Sequence, residues 1–251
     1  MTNHSVKKII HKDRIGNAAS SVKAEIPGPE KLEEIIGYHF RSPSILTQAL
    51  THTSYANEHR AEGAAHNERI EFLGDAVLEI CSSEYLYRTY PEKPEGELTR
   101  MRASMVCEPT LALCAKEFGL PAFLRLGRGE ELGGGRERDS IVSDALEALI
   151  GAIYLDGGFE AARAFVSARI LNDIENKRLF VDSKTLLQEY AQGRGESVAY
   201  RLEGEEGPDH DKRYYVTVSI GGECAARGCG HSKKAAEQQA AYQALRQLRE
   251  G

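Results

Sequence analysis

The chain has 251 residues, of which 41% are hydrophobic and 28% charged, and its net charge is −6. That length allows one large domain or two smaller ones, and no apolar run approaches the ~20 residues that a membrane-spanning helix needs. The first 27 residues carry five Lys/Arg but no continuous apolar segment, so a disordered tail is expected there rather than a secretory signal.

The five cysteines (Cys81, Cys107, Cys114, Cys224, Cys229) are odd in number and scattered, as expected of a reducing, cytoplasmic setting rather than a disulfide framework. Charge is uneven along the chain: residues 1–27 sum to +3, 28–181 to −8 and 182–251 to −1. No block is strongly basic, so any nucleic-acid site has to come from local placement of charge.

From residue 28 to about 178 the pattern is helical. "EKLEEIIGYHF" and "SPSILTQALTH" place apolar residues at helical spacing, the second behind a capping Ser42 or Ser44. A polar loop, "EHRAEGAAH", leads into "NERIEFLGDAVLEI". There Ile70, Leu73, Val77 and Ile80 form a stripe expected to face a core. "GELTRMRASMVCEPTLALCAKEFGL" continues as helices, and "GRGEELGGGRERDS" reads as a Gly- and charge-rich loop. Two further helices follow, "SIVSDALEALIGAIYLDGG" and "GFEAARAFVSARIL". "ENKRLFVD" is expected to be a linker.

Beyond it the period changes. "SKTLLQEYAQGRG" predicts a helix. "SVAYRLEG", "RYYVTVSIGG" and "GECAARGCG" predict strands, and "SKKAAEQQAAYQALRQL" predicts a last helix capped by Ser232. The fold expected is an all-α domain (28–178) followed by a small α-β-β-β-α domain (182–251).

The chemistry lies in acids set into oily helices. Glu68, Glu71 and Asp75, at i, i+3 and i+7, share one stripe, and Asp144 and Glu147 repeat the i, i+3 spacing. Like charges along a helix repel and half-buried carboxylates lose hydration. A divalent cation would offset both costs, and an all-oxygen donor set favours Mg²⁺, with Mn²⁺ as a substitute, over zinc. Such a metal supports phosphoryl chemistry; a solvated acidic face is the alternative that these residues leave open. Gly74 fits either a close approach by another helix or a partner chain, or a tolerated glycine. Cys224, Cys229 and His231 lack a fourth ligand, and zinc is not expected there.

"NERIEFLGDAVL", with "ALTHTSYANE" before it and "PEGELTRMRASMV" and "SIVSDALEALIGAIYLD" after it, resembles the signature of the ribonuclease III family. The resemblance extends over residues 29–250. It implies that Glu71, Asp144 and Glu147 are Mg²⁺ ligands, that Asp75 and Glu147 are catalytic, and that Glu68 and Glu95 line the same valley. It implies a homodimer in which Phe72 plugs a socket on the partner. Without the resemblance Phe72 reads as an ordinary core residue.

The second block resembles a double-stranded RNA-binding domain. Thr185, Gln188 and Glu189 on its first helix, His210 in a hairpin turn, and Lys233 and Lys234 at the start of its last helix are the implied RNA-facing set. Helix N-termini favour phosphate, and duplex RNA is recognised by shape and 2′-hydroxyls. The expected activity is Mg²⁺-dependent hydrolysis of duplex RNA to 5′-phosphate and 3′-hydroxyl ends with short 3′ overhangs. Its expected work is the processing of precursors of ribosomal RNA and of some messenger RNAs, with tRNA processing alongside. The expected partners are double-stranded RNA and a second copy of the chain, with no membrane and no small-molecule cofactor. A non-catalytic RNA-binding regulator and a hydrolase of small phosphate compounds are the alternatives; the intact acid set weighs against the first, the duplex reader against the second.

Overall fold

The computed structural model describes residues 26–207, 212–230 and 232–250. The expected tail, apart from its last two residues, lies outside the described residues, as do His210 and His231.

The first block is helical, with α1 (Pro29–Ile36), α2 (Pro43–Ala49), α3 (Thr53–Glu58), α4 (Glu68–Thr89), α5 (Glu95–Met105), α6 (Glu108–Glu117), α7 (Arg128–Leu132), α8 (Asp139–Gly157) and α9 (Phe159–Val166). Helix α8 is apolar on nearly every side and buries Val142, Leu146, Leu149, Ile150 and Ile153 completely. A helix apolar all round belongs inside a core, and α2, α4, α6 and α9 pack around it.

The crossing of α4 on α8 is unusually close. A Cβ added at Gly74 would lie 1.8 Å from the carbonyl oxygen of Glu147, and one at Gly151 would lie 2.3 Å from that of Ile70. Two glycines facing each other let the backbones meet where any side chain would hold them apart. This answers the question posed by Gly74: it serves a close helix approach.

After α9 the chain makes one π-turn (Ser167–Leu171) and enters α10 (Ile174–Val181), α11 (Ser183–Gly193), β1 (Val198–Glu206), β2 (Arg213–Ile220), β3 (Glu223–Gly230) and α12 (Lys233–Glu250). The sheet is antiparallel in the order β1-β2-β3, with register irregularities at Leu202/Gly204 and Val218/Ser219. Ala236, Ala240, Ala241 and Ala244 bury one face of α12 against Val216, Val218 and Ala226. Gly228 and Gly230 leave α12 room to lie on β3, since a Cβ at either would meet its backbone. Ser232 caps α12 as expected, its Oγ accepting from the Ala235 amide at 3.1 Å.

Three expectations need correction. "ENKRLFVD", expected as an unstructured connection, is helical: Glu175–Val181 belong to helix α10, and Asp182 follows its end. Its polar composition hides Leu179, which joins the second core, and Lys177, which is only 4% exposed. The Lys177 ammonium donates to the carbonyls of Arg169 (3.1 Å) and Ile170 (3.4 Å) and to Asn172 Oδ1 (2.8 Å), and pairs with Glu117 at 3.3 Å. A lysine so satisfied can be buried.

The loop at 127–140 contains α7 and a 3₁₀ turn (Gly135–Glu137). Arg136 bonds both oxygens of Glu131 at 2.7 Å and Arg138 pairs with Glu130 at 2.9 Å, tying the glycines down. Ile80 does not face the core: it is 56% exposed, whereas Ile70 and Val77 are buried. Among the described residues no helix is long and apolar enough to cross a membrane.

Candidate active site and duplex-RNA surface

The α4–α8 crossing aligns the two acidic stripes. Glu71 stands one turn before Gly74, and Glu147 is the residue whose carbonyl Gly74 touches. Glu71, Asp144 and Glu147 each bring one carboxylate oxygen into a group whose members all lie within 4.8 Å of one another. Three half-buried oxygens so arranged, with no sulfur or imidazole among them, fit a hard divalent cation.

Electrostatics point the same way. Burial, reinforced by Asp75, Asp144 and Glu71, pushes the Glu147 carboxyl up to about 8. Burial, then Asp144, Glu68 and Asp75, pushes Glu71 up to about 7. Asp144 is also raised, by burial and then by Glu108, partly offset by His52 and a hydrogen bond from Ser143. The cluster favours positive charge and takes protons when no cation is present.

This has a consequence for stability. Both glutamates have folded values above the 4.5 of a free carboxyl, so the native state holds more protons than the unfolded state between pH 4.5 and about 8. Metal-free stability therefore falls as pH rises through that window. Glu147→Gln is expected to be more stable than wild type at pH 8.5 by about 1–3 kcal/mol after solvent screening, and to lose that advantage near pH 4.5. Thermal unfolding in EDTA at the two pH values checks this; a difference independent of pH would contradict it.

The other expected acids are placed less uniformly. Asp75 is exposed one turn beyond Glu71 and raises both glutamates without joining the group. Glu68 is exposed at the start of α4, with its carboxylate 3.7 Å from His66 Nδ1. Glu95 is not brought to the cluster within this chain. It opens α5, accepts from Thr99 Oγ1 at 2.8 Å, and lines a cavity of ≈ 420 Å³ with Ile80, Tyr87, Leu98 and Arg102. Ile80 is nine residues along α4 from Glu71, roughly 13 Å at the helical rise.

Phe72 is not a core residue: it is 80% exposed, and Tyr87 on the same helix is 74% exposed. Exposed large apolar groups in such number on one helix mark an interaction surface. Sequence reasoning misses the contributions of Tyr87 and Gly151 and turns Ile80 toward the core. The available signal for Gly151 was a second glycine in an apolar helix, four residues after Glu147.

In the second block Thr185, Gln188 and Glu189 are all exposed on α11, and Lys233 and Lys234 are exposed in the first turn of α12. Free amides and dipole at that N-terminus add to the two ammonium groups. Cys224 and Cys229 are free thiols, and among the described residues they join no metal-ligand group.

Comparison with known proteins agrees with this architecture. A family model described as Ribonuclease-III-like matches residues 42–174, and one described as Double-stranded RNA binding motif matches residues 183–248. Ribonuclease 3 of Desulforamulus reducens is 50% identical over 222 residues, spanning 87% of this chain and 90% of the relative. Ribonuclease 3 of Symbiobacterium thermophilum is 51% identical over 216 residues, spanning 84% and 91%. The nuclease domain of Campylobacter jejuni ribonuclease III, in a structure concerned with flexibility in a region involved in dimer formation, superposes with a TM-score of 0.54 at 42% identity. The match covers 57% of this chain and 96% of that one. The chain therefore belongs to the ribonuclease III family: it is a double-stranded-RNA endoribonuclease with an acidic helical nuclease domain joined to a double-stranded RNA-binding domain.

Proposed function

We propose that Glu71, Asp144 and Glu147 hold Mg²⁺, with Mn²⁺ able to replace it, and that Asp75 and Glu147 take part in the cutting of an RNA strand laid across them. The observation that carries this is the convergence of three carboxylate oxygens within 4.8 Å at the α4–α8 crossing. Held by these three carboxylates, a divalent cation would supply charge neutralisation for the phosphodiester and a more acidic water as nucleophile. The protein's own part is to hold three oxygens rigidly on two helices that cannot slide past the Gly74–Gly151 contact. Asp75, exposed one turn beyond Glu71 on the same helix, takes the proton of the attacking water in this reading. Glu68 lines the same valley. In-line attack on phosphorus leaves a 5′-phosphate and a 3′-hydroxyl.

Duplex selectivity is assigned to the second domain. Thr185, Gln188 and Glu189 face the shallow groove and its 2′-hydroxyls, and Lys233 and Lys234 face phosphates. His210, outside the described residues, completes the set in this proposal. The working unit is a homodimer. Phe72 of one copy fills the ≈ 420 Å³ cavity of the next, whose wall includes Ile80, Tyr87 and Leu98. That pairing gives Glu95 a role that a single chain does not: Glu95 of the partner subunit borders the cluster beside Phe72. Two such sites on one duplex leave staggered ends with short 3′ overhangs. The setting proposed is the cytoplasm, and the substrates are precursors of ribosomal RNA and some messenger and transfer RNAs.

A long RNA duplex incubated with the protein, with and without Mg²⁺, tests this. The expected result is cation-dependent cleavage to 5′-phosphorylated fragments with short 3′ overhangs. Duplex binding without cleavage in Mg²⁺ would favour the RNA-binding regulator instead.

A further inference from the structure

Helix α10 joins the two domains, and each of its ends is fastened to a different one. Its first residue, Ile174, belongs to the core of the nuclease domain, and the hydroxyl of Tyr90, which ends α4, donates to Glu175 at 2.6 Å. Lys177 follows within one turn, its ammonium held by the carbonyls of Arg169 and Ile170, by Asn172 and by Glu117 of α6. The entry to the helix is shaped as well. Asp173, just before it, has φ +54° and is the one non-glycine residue in the left-handed region among the described residues. Its carboxylate accepts from the Asn176 side-chain amide at 2.7 Å.

The other end is held by the RNA-binding domain. Leu179 joins that domain's core with Leu187 and Ala240. The Phe180 ring meets Tyr242 of α12 edge-on at 5.3 Å. The side-chain amide of Gln238, also on α12, donates to the carbonyls of Phe180 and Val181, which a helix C-terminus leaves without partners of its own. The Ser183 hydroxyl donates to the Gln238 carbonyl at 3.1 Å. Eight residues with no glycine or proline among them make a helix roughly 12 Å long. An isolated helix of that length does not persist in water. Helix α10 is helical because both domains hold it, and it transmits the placement of one to the other.

We propose that α10 is a strut that sets the angle at which the RNA-binding domain presents a duplex to the acidic cluster, and that Lys177 is its positioning residue. The proposal rests on the reading that this cluster cuts duplex RNA. Lys177 takes no part in the chemistry. Its ammonium fixes α10 to α6 and to the π-turn, and through α10 it fixes the second domain. A duplex gripped by that domain then meets the cluster in one register, and the cut falls at one place. With the strut loosened, the same duplex reaches the cluster in several registers, and fewer of them align a phosphate with the three carboxylates.

Two variants loosen the strut from opposite ends. Lys177→Met keeps a long buried stem but leaves the carbonyls and Glu117 without their donor. Gln238→Leu removes the anchor on α12 without touching the nuclease domain, and so serves even if Lys177→Met folds poorly. Both are compared with wild type on an RNA hairpin that wild type cuts at one dominant site in Mg²⁺. The measurements are the single-turnover rate at saturating enzyme, the mapped cut positions, duplex affinity in EDTA, and ¹⁵N relaxation of each domain. In wild type the two domains are expected to share one rotational correlation time. In each variant the two times should separate, the cuts should spread over neighbouring nucleotides, and the rate should fall roughly 10-fold, with duplex affinity unchanged. A single cut site retained in both variants would overturn the proposal whatever happens to the rate, because lost stability alone does not move a cut. Spreading in Gln238→Leu alone would overturn the assignment to Lys177, and wild-type domains that tumble independently would overturn the strut. Failure of wild type to cleave would instead overturn the reading of the cluster, and the relaxation measurement would still decide on the strut.

Discussion

Glu147→Gln is expected to bind duplex RNA as wild type does and to cut it about 10³-fold more slowly or worse at saturating Mg²⁺. The substitution keeps the shape of the side chain and removes one of three charges that share a space 4.8 Å across. Of the three, Glu147 is the most strongly perturbed toward its protonated form, pushed to about 8 by burial and by its acidic neighbours. Without a cation the wild-type residue gains little from ionising; with one, its charge is what the site offers. A loss of 10³ corresponds to about 4 kcal/mol of transition-state stabilisation, within reach of one charged ligand in a half-buried site. Binding is expected to survive because the residues proposed to face the duplex, Thr185, Gln188, Lys233 and Lys234, belong to a block with its own core. A gel shift paired with a cleavage time course checks both halves, and equal cleavage by the two proteins would remove Glu147 from the chemistry.

Gly74→Ala is expected to be nearly as damaging although it adds one methyl group. The new Cβ would stand 1.8 Å from the Glu147 carbonyl oxygen, 2.6 Å from its carbon and 2.9 Å from the Gly151 nitrogen. All three are backbone atoms of α8, so no side-chain rotation relieves the contact. The helices must separate, at a cost at or beyond the upper end of overpacking, about 3 kcal/mol. Alanine's better helix propensity returns only about 1 kcal/mol. The net ~2 kcal/mol should lower the melting temperature by roughly 4–8 °C. Divalent-cation affinity should fall with it, since the displaced residue is Glu147 itself. Gly96→Ala, in helix α5 where an added Cβ meets nothing within 4 Å, serves as the control and should leave cation affinity unchanged and the melting temperature no lower than wild type. Wild-type stability in Gly74→Ala would mean that the helices do not cross where the glycines place them.

The legible part of the sequence was the part governed by local periodicity. The i, i+3 spacing of Glu68/Glu71 and Asp144/Glu147 put each pair on one helical stripe without reference to the rest of the chain. Alternation in "RYYVTVSIGG" and the cap at Ser232 gave the order of the second domain. What periodicity cannot supply is the partner of a face. Ile80 belongs to the same apolar stripe as Val77, and nothing local distinguishes a residue facing a core from one facing open surface, so it was assigned inward. Phe72 had the same ambiguity, and only the family resemblance pointed it outward.

The convergence of α4 and α8 depends on Gly74 meeting Gly151, 77 positions apart in the sequence, a contact visible only once both helices are placed. Helix α10 was missed because its buried polar member, Lys177, is satisfied by carbonyls of a π-turn that has no sequence signature. Glu95 shows the limit from the other side. Its assignment to the valley came from resemblance, and in a single chain it lines a separate cavity; a second copy is what would return it to the cluster.

The central claim is that Glu71, Asp144 and Glu147 form one cation site. Anomalous scattering from Mn²⁺ in crystals of the protein measures it directly. The account predicts a peak within coordination distance of one carboxylate oxygen from each of the three residues, and its loss in Glu147→Gln. A peak seated elsewhere, or one that persists unchanged in the variant, would contradict it.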